Sequence, residues 1–210
     1  YRVLGPKDGV ASHGVVELLY AVVGKGTGIL SRKMPGESVD LLGPLGNGFA
    51  LPAKGQRAVM AAGGMGIVPF YMLACRVKKP VVLFGARSAR EAAVADDFKG
   101  LDISLKIATE DGSAGKKGLV TELLQDELLP GDLVYACGPV GMLKKIASIA
   151  SHAGVRCQVS LERSMACGIG VCLGCAVKAS SHKEAENRNY RMVCSEGPVF
   201  ESEDIDWERL

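Results

Sequence analysis

Arg57-Ala58-Val59-Met60-Ala61-Ala62-Gly63-Gly64-Met65-Gly66-Ile67-Val68-Pro69 is the stretch that decides the fold. Arg57 to Ala62 is a strand, apolar after its first residue, that runs into Gly63, the pattern of a buried strand. Gly63, Gly64 and Gly66 form a turn, and Pro69 suits the first turn of a helix that runs to about Val77. The glycines let backbone approach a ligand at the carboxyl end of the strand, and the helix start favours a pyrophosphate. The spacing is not G-x-G-x-x-G, so the standard Rossmann fingerprint does not apply. Ala58 to Cys75 is an uncharged run of 18 residues, long enough for a crude transmembrane count. Its glycines and Pro69 read instead as strand, turn and buried helix.

The same unit repeats downstream. Val81–Phe84 is a second strand, followed by Gly85-Ala86-Arg87, a capping box at Ser88 and Glu91, and Gly100 as a helix stop. Asp102–Ala108 alternates as a third strand and ends in a turn over Thr109–Ser113. Leu119–Leu129 is a helix stopped by Pro130-Gly131. Leu133–Ala136 is a fourth strand ending at Cys137-Gly138-Pro139, and Met142–His152 is a helix stopped by Gly154. Strand and helix alternate over residues 54–158, the pattern of a parallel, doubly wound nucleotide-binding sheet. Its four strand-end loops converge on one edge, where open α/β sheets bind nucleotides.

Residues 159–210 carry a different signal. Cys167, Cys172 and Cys175 stand at C-x4-C-x2-C, and Cys194 follows a polar loop, the plant-ferredoxin spacing for a [2Fe-2S] cluster. Two tetrahedral irons need four thiolates. Gly168, Gly170 and Gly174 allow the positive φ angles and close N–H approach that a cluster loop requires. A structural zinc site or core-filling cysteines are the alternatives; zinc more often takes paired C-x2-C knuckles. Val159–Glu162 enters this segment and Ala176–Lys178 leaves it. Ser180–Arg191 reads as an exposed hairpin, and the acidic tail around Trp207 as a docked terminus.

Residues 1–53 read as β structure, with strands at Gly14–Val23 and Ser38–Leu42. Between them Gly24-Lys25-Gly26-Thr27-Gly28 opens a short helix. It is either a phosphate cradle or simply a turn. Gly43-Pro44-Leu45-Gly46-Asn47-Gly48-Phe49 is a rigid, turn-rich connection that reads as a domain-linking loop. The chain starts inside a strand without methionine, so a preceding portion is expected.

Composition narrows the function. With 25 Lys and Arg against 23 Asp and Glu, the net charge of +2 leaves no basic footprint for nucleic acid. Aromatics at 5% do not make a base-stacking surface. Gly at 27 of 210 residues is nearly twice the usual ~7%. Seven cysteines with no signal peptide fit a reducing cytoplasm better than a disulfide framework. His13 and His182 read as exposed, and His152 sits at a helix C-terminus, so no nucleophile–base pair stands out. Cys137 is either a thiol nucleophile or a packing residue beside nicotinamide.

Nicotinamide carries two electrons and a [2Fe-2S] cluster one; flavin converts between them. The parts therefore predict a flavin between a nicotinamide site and the cluster.

Gly26-Thr27, Gly43-Pro44-Leu45-Gly46, Gly63 to Pro69 and Cys137-Gly138-Pro139, in this order, resemble the ferredoxin–NADP reductase superfamily. Leu161-Glu162-Arg163 with Met165 to Cys175 is similar to one branch, the electron-transfer subunits of NAD-linked dihydroorotate dehydrogenases. The resemblance implies a remnant of a flavin-binding β-barrel (1–53), an NAD-binding α/β domain (54–158) and a small [2Fe-2S] domain (159–210). It also implies FAD, NAD and one cluster, and an FMN-containing catalytic partner subunit in a heterotetramer of pyrimidine biosynthesis, with no nucleic acid and no membrane. By position, Leu19, Tyr20 and Ala21 would line FAD, and Gly26 and Thr27 would hold its pyrophosphate. Gly63, Gly64, Gly66, Ile67, Pro69, Gly85, Ala86, Arg87, Asp111, Cys137, Gly138 and Pro139 would line the NAD site. Cys167, Cys172, Cys175 and Cys194 would bind the cluster.

The chain departs from the family in three ways. An Arg-Pro-x-Ser flavin run would lie before Tyr1, Ala21 replaces a common Arg, and the gap from Cys175 to Cys194 is long. Arg87 and Arg90 could greet a 2′-phosphate, so NADP stays open. Two other readings stand beside the first: a flavin/iron–sulfur subunit of a hydrogenase, sulfide reductase or bifurcating transhydrogenase, and a zinc-stabilised binding protein without catalysis. Anaerobically purified protein is expected to be brown, with iron and sulfide at about two each per chain. A colourless protein holding one zinc overturns both redox readings.

Overall fold

The computed structural model describes residues 2–4, 15–180 and 189–210. Gly14, His13, His182 and most of the hairpin expected over 180–191 lie outside the described residues. The chain divides into two units, Tyr1–Leu45 and Gly46–Leu210.

In the smaller unit β1 (Arg2–Leu4) pairs antiparallel with β2 (Val15–Glu17). The strand expected to Val23 stops at Glu17, and Ser38–Leu42 forms no regular element. Their apolar residues explain the difference. Leu18, Leu19, Val22, Val23, Leu41 and Leu42 are all exposed, so the pattern marks apolar surface without a described ladder partner. The β-barrel itself is not seen among the described residues. The short helix after the glycines is present as α1 (Lys25–Leu30).

The larger unit is built on a seven-stranded sheet. Its strands are β3 (Ala58–Gly63), β4 (Val81–Ala86), β5 (Ser104–Thr109), β6 (Lys116–Lys117), β7 (Leu133–Cys137), β8 (Arg156–Ser160) and β11 (Val199–Glu201), in the order β11-β8-β7-β3-β4-β5-β6, while β9 (Ala176–Lys178) and β10 (Tyr190–Met192) form a separate antiparallel pair. All neighbours are parallel except β11, which runs antiparallel to β8. Alternate strand residues face opposite layers, as the pleat demands. Val59, Ala61, Val134 and Ala136 pack with α4 (Val120–Glu127) and α5 (Val140–His152). Met60, Ala62, Phe84 and Tyr135 pack with α2 (Val68–Ala74) and the segment from α3 (Ala89–Ala92) to Phe98. Both faces are covered, so the sheet is doubly wound. Ala58–Cys75 resolves into β3, a 3-10 turn over Gly64–Ile67, and α2. Among the described residues no helix is long and apolar enough to cross a membrane.

Three assignments needed correction. Residues 156–160 are a further parallel strand, not only the entry to the cysteine segment, because Val155, Cys157 and Val159 alternate into the core. The tail is more than a docked terminus: residues 199–201 close the sheet edge, and Trp207 Nε1 donates to the Ser202 carbonyl at 2.8 Å. The capping box at Ser88 also fails. Ser88 makes no side-chain cap bond, and Glu91 turns to Arg87 instead.

Away from the strand-end loops, Asp132 is buried at 3% exposure and binds Arg57 through both carboxylate oxygens, at 2.8 and 2.7 Å. Asp132 also accepts the Leu129 N–H at 2.8 Å, and Arg57 donates to the Glu127 carbonyl at 2.5 Å. This network ties the starts of β3 and β7 to the end of α4. Arg57→Ala leaves a buried carboxylate without its cation, so it is expected to lower stability in urea unfolding by about 2–3 kcal/mol, somewhat less than a fully buried pair, because the arginine is partly exposed. AMP affinity, measured by calorimetry, is expected to stay unchanged, because the network sits at the opposite end of the strands from the loops.

Candidate nucleotide cleft and iron–sulfur site

At the carboxyl ends of β3, β7 and β8 lies an open cleft of about 710 Å³. Gly63–Gly66 forms one wall, Cys137–Val140 the second and Ser160–Ser164 the third. The glycines of this edge have different jobs. A Cβ on Gly66 would stand 2.1 Å from the Cys137 carbonyl oxygen, and one on Gly63 would stand 2.6 Å from Met142 Sδ. These two are small so that two loops can touch. Gly64 has φ +54° and open space around it, so it is the glycine that presents backbone to the cleft. A Cβ on Gly85 would stand 2.9 Å from Val120 Cβ. Ile67 is fully buried, and Pro69 lies in the first turn of α2.

Cys137 forms the floor. Burial pushes its thiol up to about 11; a hydrogen bond with the Ser160 hydroxyl opposes that and Glu162 adds to it. A thiol so held is a packing and hydrogen-bonding group, not a nucleophile. Ser160, Glu162, Arg163 and Ser164 were not predicted to line the cleft. The alternation through β8 was the signal that could have placed them.

The β4 and β5 ends extend the same edge. Asp111 accepts the Ser113 N–H at 2.9 Å and the Ser113 hydroxyl at 2.6 Å, which holds its carboxyl below the usual range. The Ser113 hydroxyl in turn accepts the Ala89 N–H at 2.7 Å. Arg87 is exposed and paired with Glu91.

The cysteine segment leaves the third wall directly: only Met165 and Ala166 separate Ser164 from Cys167. The four thiols fall into two pairs. The Cys172 N–H donates to Cys167 Sγ at 3.4 Å, and the Cys194 N–H donates to Cys175 Sγ at 3.4 Å. N–H groups of Cys172, Ile169 and Val171 pull the Cys167 thiol down to about 6. Burial pushes Cys175 up, but donation from the Cys194 and Val193 N–H groups outweighs it and leaves the thiol below its ordinary value. The Cys194 thiol is held above its ordinary value, chiefly by contact with the Cys175 thiol and then by desolvation. Cys175 and Cys194 are buried; Cys167 is half-buried and Cys172 exposed. All seven cysteines are free.

Gly168 and Gly170 take φ +73° and +83° as expected, but the third left-handed position is Leu173 at +59°, not Gly174. Gly174 instead donates its N–H toward Cys172 Sγ at 3.5 Å. Among the described residues, no three or more His, Cys, Asp or Glu side chains close around one metal position. Two cysteine pairs with N–H donors aimed at sulfur do fit a two-iron cluster, in which each iron takes two thiolates. Asn47 was missed altogether. Its side chain donates to the Glu196 carbonyl at 2.9 Å and its N–H to the Gly197 carbonyl at 2.6 Å, clamping the turn after Cys194.

In the smaller unit, Leu19 and Ala21 are exposed and Tyr20 half-buried, on a stretch without regular structure. Thr27 Oγ1 accepts the Val23 and Gly24 N–H groups at 3.0 and 3.2 Å, setting the entry to α1. Gly26 has open space around its Cα.

Residues 162–206 match the family model for the iron–sulfur cluster binding domain of dihydroorotate dehydrogenase B. The dihydroorotate dehydrogenase B (NAD(+)) electron transfer subunit of Desulforamulus reducens is 43% identical over 201 residues, covering 93% of this chain and 76% of the relative. The same subunit from Caldanaerobacter subterraneus subsp. tengcongensis is 42% identical, covering 90% and 74%. The chain belongs to the dihydroorotate dehydrogenase B electron transfer subunit family. A solved NADH-dependent reduced ferredoxin-NADP oxidoreductase, described for flavin-based electron bifurcation, superimposes with a TM-score of 0.76 at 32% identity, covering 90% of this chain and 68% of that one.

For this family member, Cys137 is expected to resist alkylation. At pH 8 a thiol held at about 11 is only about 0.1% thiolate, so iodoacetamide should label Cys137 far more slowly than exposed Cys75, read by peptide mass spectrometry. Equal labelling would restore the nucleophile reading.

Proposed function

We propose that this chain is the electron-transfer subunit that carries electrons from the flavin of a dihydroorotate-oxidising partner through a [2Fe-2S] cluster and FAD to NAD+. Membership of the electron transfer subunit family, with four cysteines paired two and two beside a strand-end cleft, is the observation that carries this reading. The domain reading that accompanies it seats flavin on residues 1–53 as part of a β-barrel, dinucleotide on 54–158 and the cluster on 159–210. Seven free cysteines favour the cytoplasm as the working compartment.

Flavin, when bound, supplies the exchange between one-electron and two-electron transfer. Leu19, Tyr20 and Ala21 would line it, and Gly26 and Thr27 would face its pyrophosphate at the first turn of α1, where N–H groups are not consumed by the helix. Gly64 and the Cys137–Pro139 loop would receive the nicotinamide end of the dinucleotide. Cys137 stays protonated there and adds no charge beside the ring. Cys167, Cys172, Cys175 and Cys194 would hold the cluster. Ile169, Val171 and Leu173 surround the outer cysteines as exposed apolar side chains, a surface suited to the FMN-containing catalytic subunit of a heterotetramer.

The solved bifurcating relative supports a second reading, in which the same module serves a ferredoxin-linked complex. Reduction of NAD+ by dihydroorotate in the presence of the catalytic subunit supports the first; turnover only with reduced ferredoxin supports the second.

Cys172→Ser is expected to stop dihydroorotate-driven NAD+ reduction while NADH-dependent reduction of an artificial acceptor through FAD survives. Loss of both with FAD still bound would place the cluster between FAD and NAD instead. Ile169→Glu is expected to weaken partner binding by roughly tenfold or more, the scale of one disrupted interface anchor, with the visible spectrum of the cluster unchanged.

A further inference from the structure

We propose that Asn47 is a positioning residue of the iron–sulfur site: by fastening the turn that carries Cys194, it keeps hydrogen-bond donors aimed at the sulfurs of the inner cysteine pair and so holds the cluster's reduction potential up. The inference rests on the cluster reading of the four cysteines and adds to it a residue far from them in the sequence.

The turn comes first. The Ser195, Glu196 and Gly197 N–H groups all donate to the Met192 carbonyl, at 3.3, 2.8 and 3.2 Å. The Glu196 carboxylate accepts the Met192 N–H at 2.7 Å and pairs with Arg191 at 3.1 Å. Cys194 sits inside this turn. Its own bonds leave the Glu196 and Gly197 carbonyls to find donors elsewhere.

Asn47 supplies both. Its Nδ2 donates to the Glu196 carbonyl at 2.9 Å and its backbone N–H to the Gly197 carbonyl at 2.6 Å, while its carbonyl accepts the Val199 N–H at 3.4 Å. Gly46 makes room for this contact. It has φ +70°, and a Cβ there would stand 2.1 Å from the Gly197 carbonyl oxygen. The segment that bears Asn47 is fixed in its turn. The Ala50 N–H donates to Oε1 of buried Gln158 at 3.0 Å, and the Ala50 carbonyl accepts the Tyr135 hydroxyl at 2.9 Å. Phe49 packs on the rings of Phe70 and Tyr135, each with centroids 5.4 Å away. Asn47 therefore ties the cysteine turn to β7 and β8 of the sheet, not to another loop.

The sulfur side of the turn shows what is held. The Cys194 N–H donates to Cys175 Sγ at 3.4 Å, and the Gly170 N–H and the Ser195 hydroxyl donate to the Cys194 sulfur. Gly170 and Ser195 lie against each other: a Cβ on Gly170 would stand 3.1 Å from Ser195 Oγ. Donors from two loops thus converge on one pair of sulfurs, and their aim depends on where the turn stands. Reduction adds one electron to a cluster. Donors pointed at its sulfurs stabilise that added charge, so poorer alignment makes the potential more negative. Replacing the Asn47 side chain removes only the Nδ2 bond. The two backbone bonds remain, so the turn loosens without coming free.

Redox titration of the full chain with dithionite, followed by electron paramagnetic resonance of the reduced cluster, reads the effect. Asn47→Ala is expected to move the potential to a more negative value, with a reduction equilibrium roughly threefold less favourable, the scale of one hydrogen bond. The g values of the reduced signal are expected to change with it. Asn47→Leu keeps the branched shape without a donor or a charge, and is expected to shift the potential in the same direction. Ser195→Ala removes a donor without touching Asn47, is expected to do the same, and carries the test if Asn47→Ala does not retain iron. Unchanged potential and g values in Asn47→Ala, with iron retained, overturn the proposal alone, even where urea unfolding shows lower stability, because Asn47 is then only a structural contact. A wild-type potential in Asn47→Leu also overturns it, since shape and not donation is then what matters. Where Asn47→Ala does not retain iron, a wild-type potential in Ser195→Ala overturns it. A wild-type chain purified without iron and sulfide overturns the cluster reading and this inference with it.

Discussion

Gly66 sits so close to the Cys137 carbonyl that a methyl group there would stand 2.1 Å from the oxygen. This contact between the turn after β3 and the loop after β7 is the constraint on which the rest of the edge depends. It brings two strand ends together without side chains between them, which leaves a cleft floored by Cys137 and walled by backbone. Gly63 against Met142, and Gly138 at φ +149° against the same methionine, extend the contact into α5. A side chain on Gly66 would meet backbone and push the two loops apart, whereas at Gly63 and Gly138 it would first displace the flexible end of Met142.

The third wall carries the consequence toward the cysteines. β8 ends at Ser160, the wall runs to Ser164, and Cys167 follows almost at once. Cys175 and Cys194 share one buried cluster with Val159, Leu161 and Phe200, so the inner cysteine pair is anchored on the same core as the sheet. The outer pair, Cys167 and Cys172, faces outward among exposed apolar residues. The protein thus holds one end of its cysteine site against the core of the sheet and leaves the other end open to solvent. Asn47 strengthens the inner end by clamping the turn that follows Cys194.

Much of the sheet was legible because β3, β4 and β7 are short apolar runs that reach a glycine at or just past their ends, β5 alternates, and a helical period follows most of them. The cysteine spacing was legible for a covalent reason: a C-x4-C-x2-C loop has few other uses. What could not be read were features that depend on a distant partner. The strand at 199–201 is visible only once β8 offers it an edge. Asn47 looked like part of a linker because its acceptors lie about 150 residues away. Ser88 and Glu91 satisfied the capping pattern, but Arg87 competes for the same carboxylate and wins with a charged donor. The left-handed position at Leu173 escaped because glycine at 174 was the obvious candidate. The strands expected at 14–23 and 38–42 had the right apolar content, yet such a pattern marks surface to be covered and does not name what covers it.

By itself, the sequence determined an α/β sheet of the nucleotide-binding type and a four-cysteine segment with ferredoxin-like spacing, because residue type and local spacing are enough to specify strand, turn, helix and thiolate loop. Only the tertiary structure decided which glycines serve packing and which face the cleft, how the thiols pair, and that Arg87 is already held by Glu91. Those outcomes depend on distances between residues on different elements or on competition for one acceptor, and neither is encoded in local spacing.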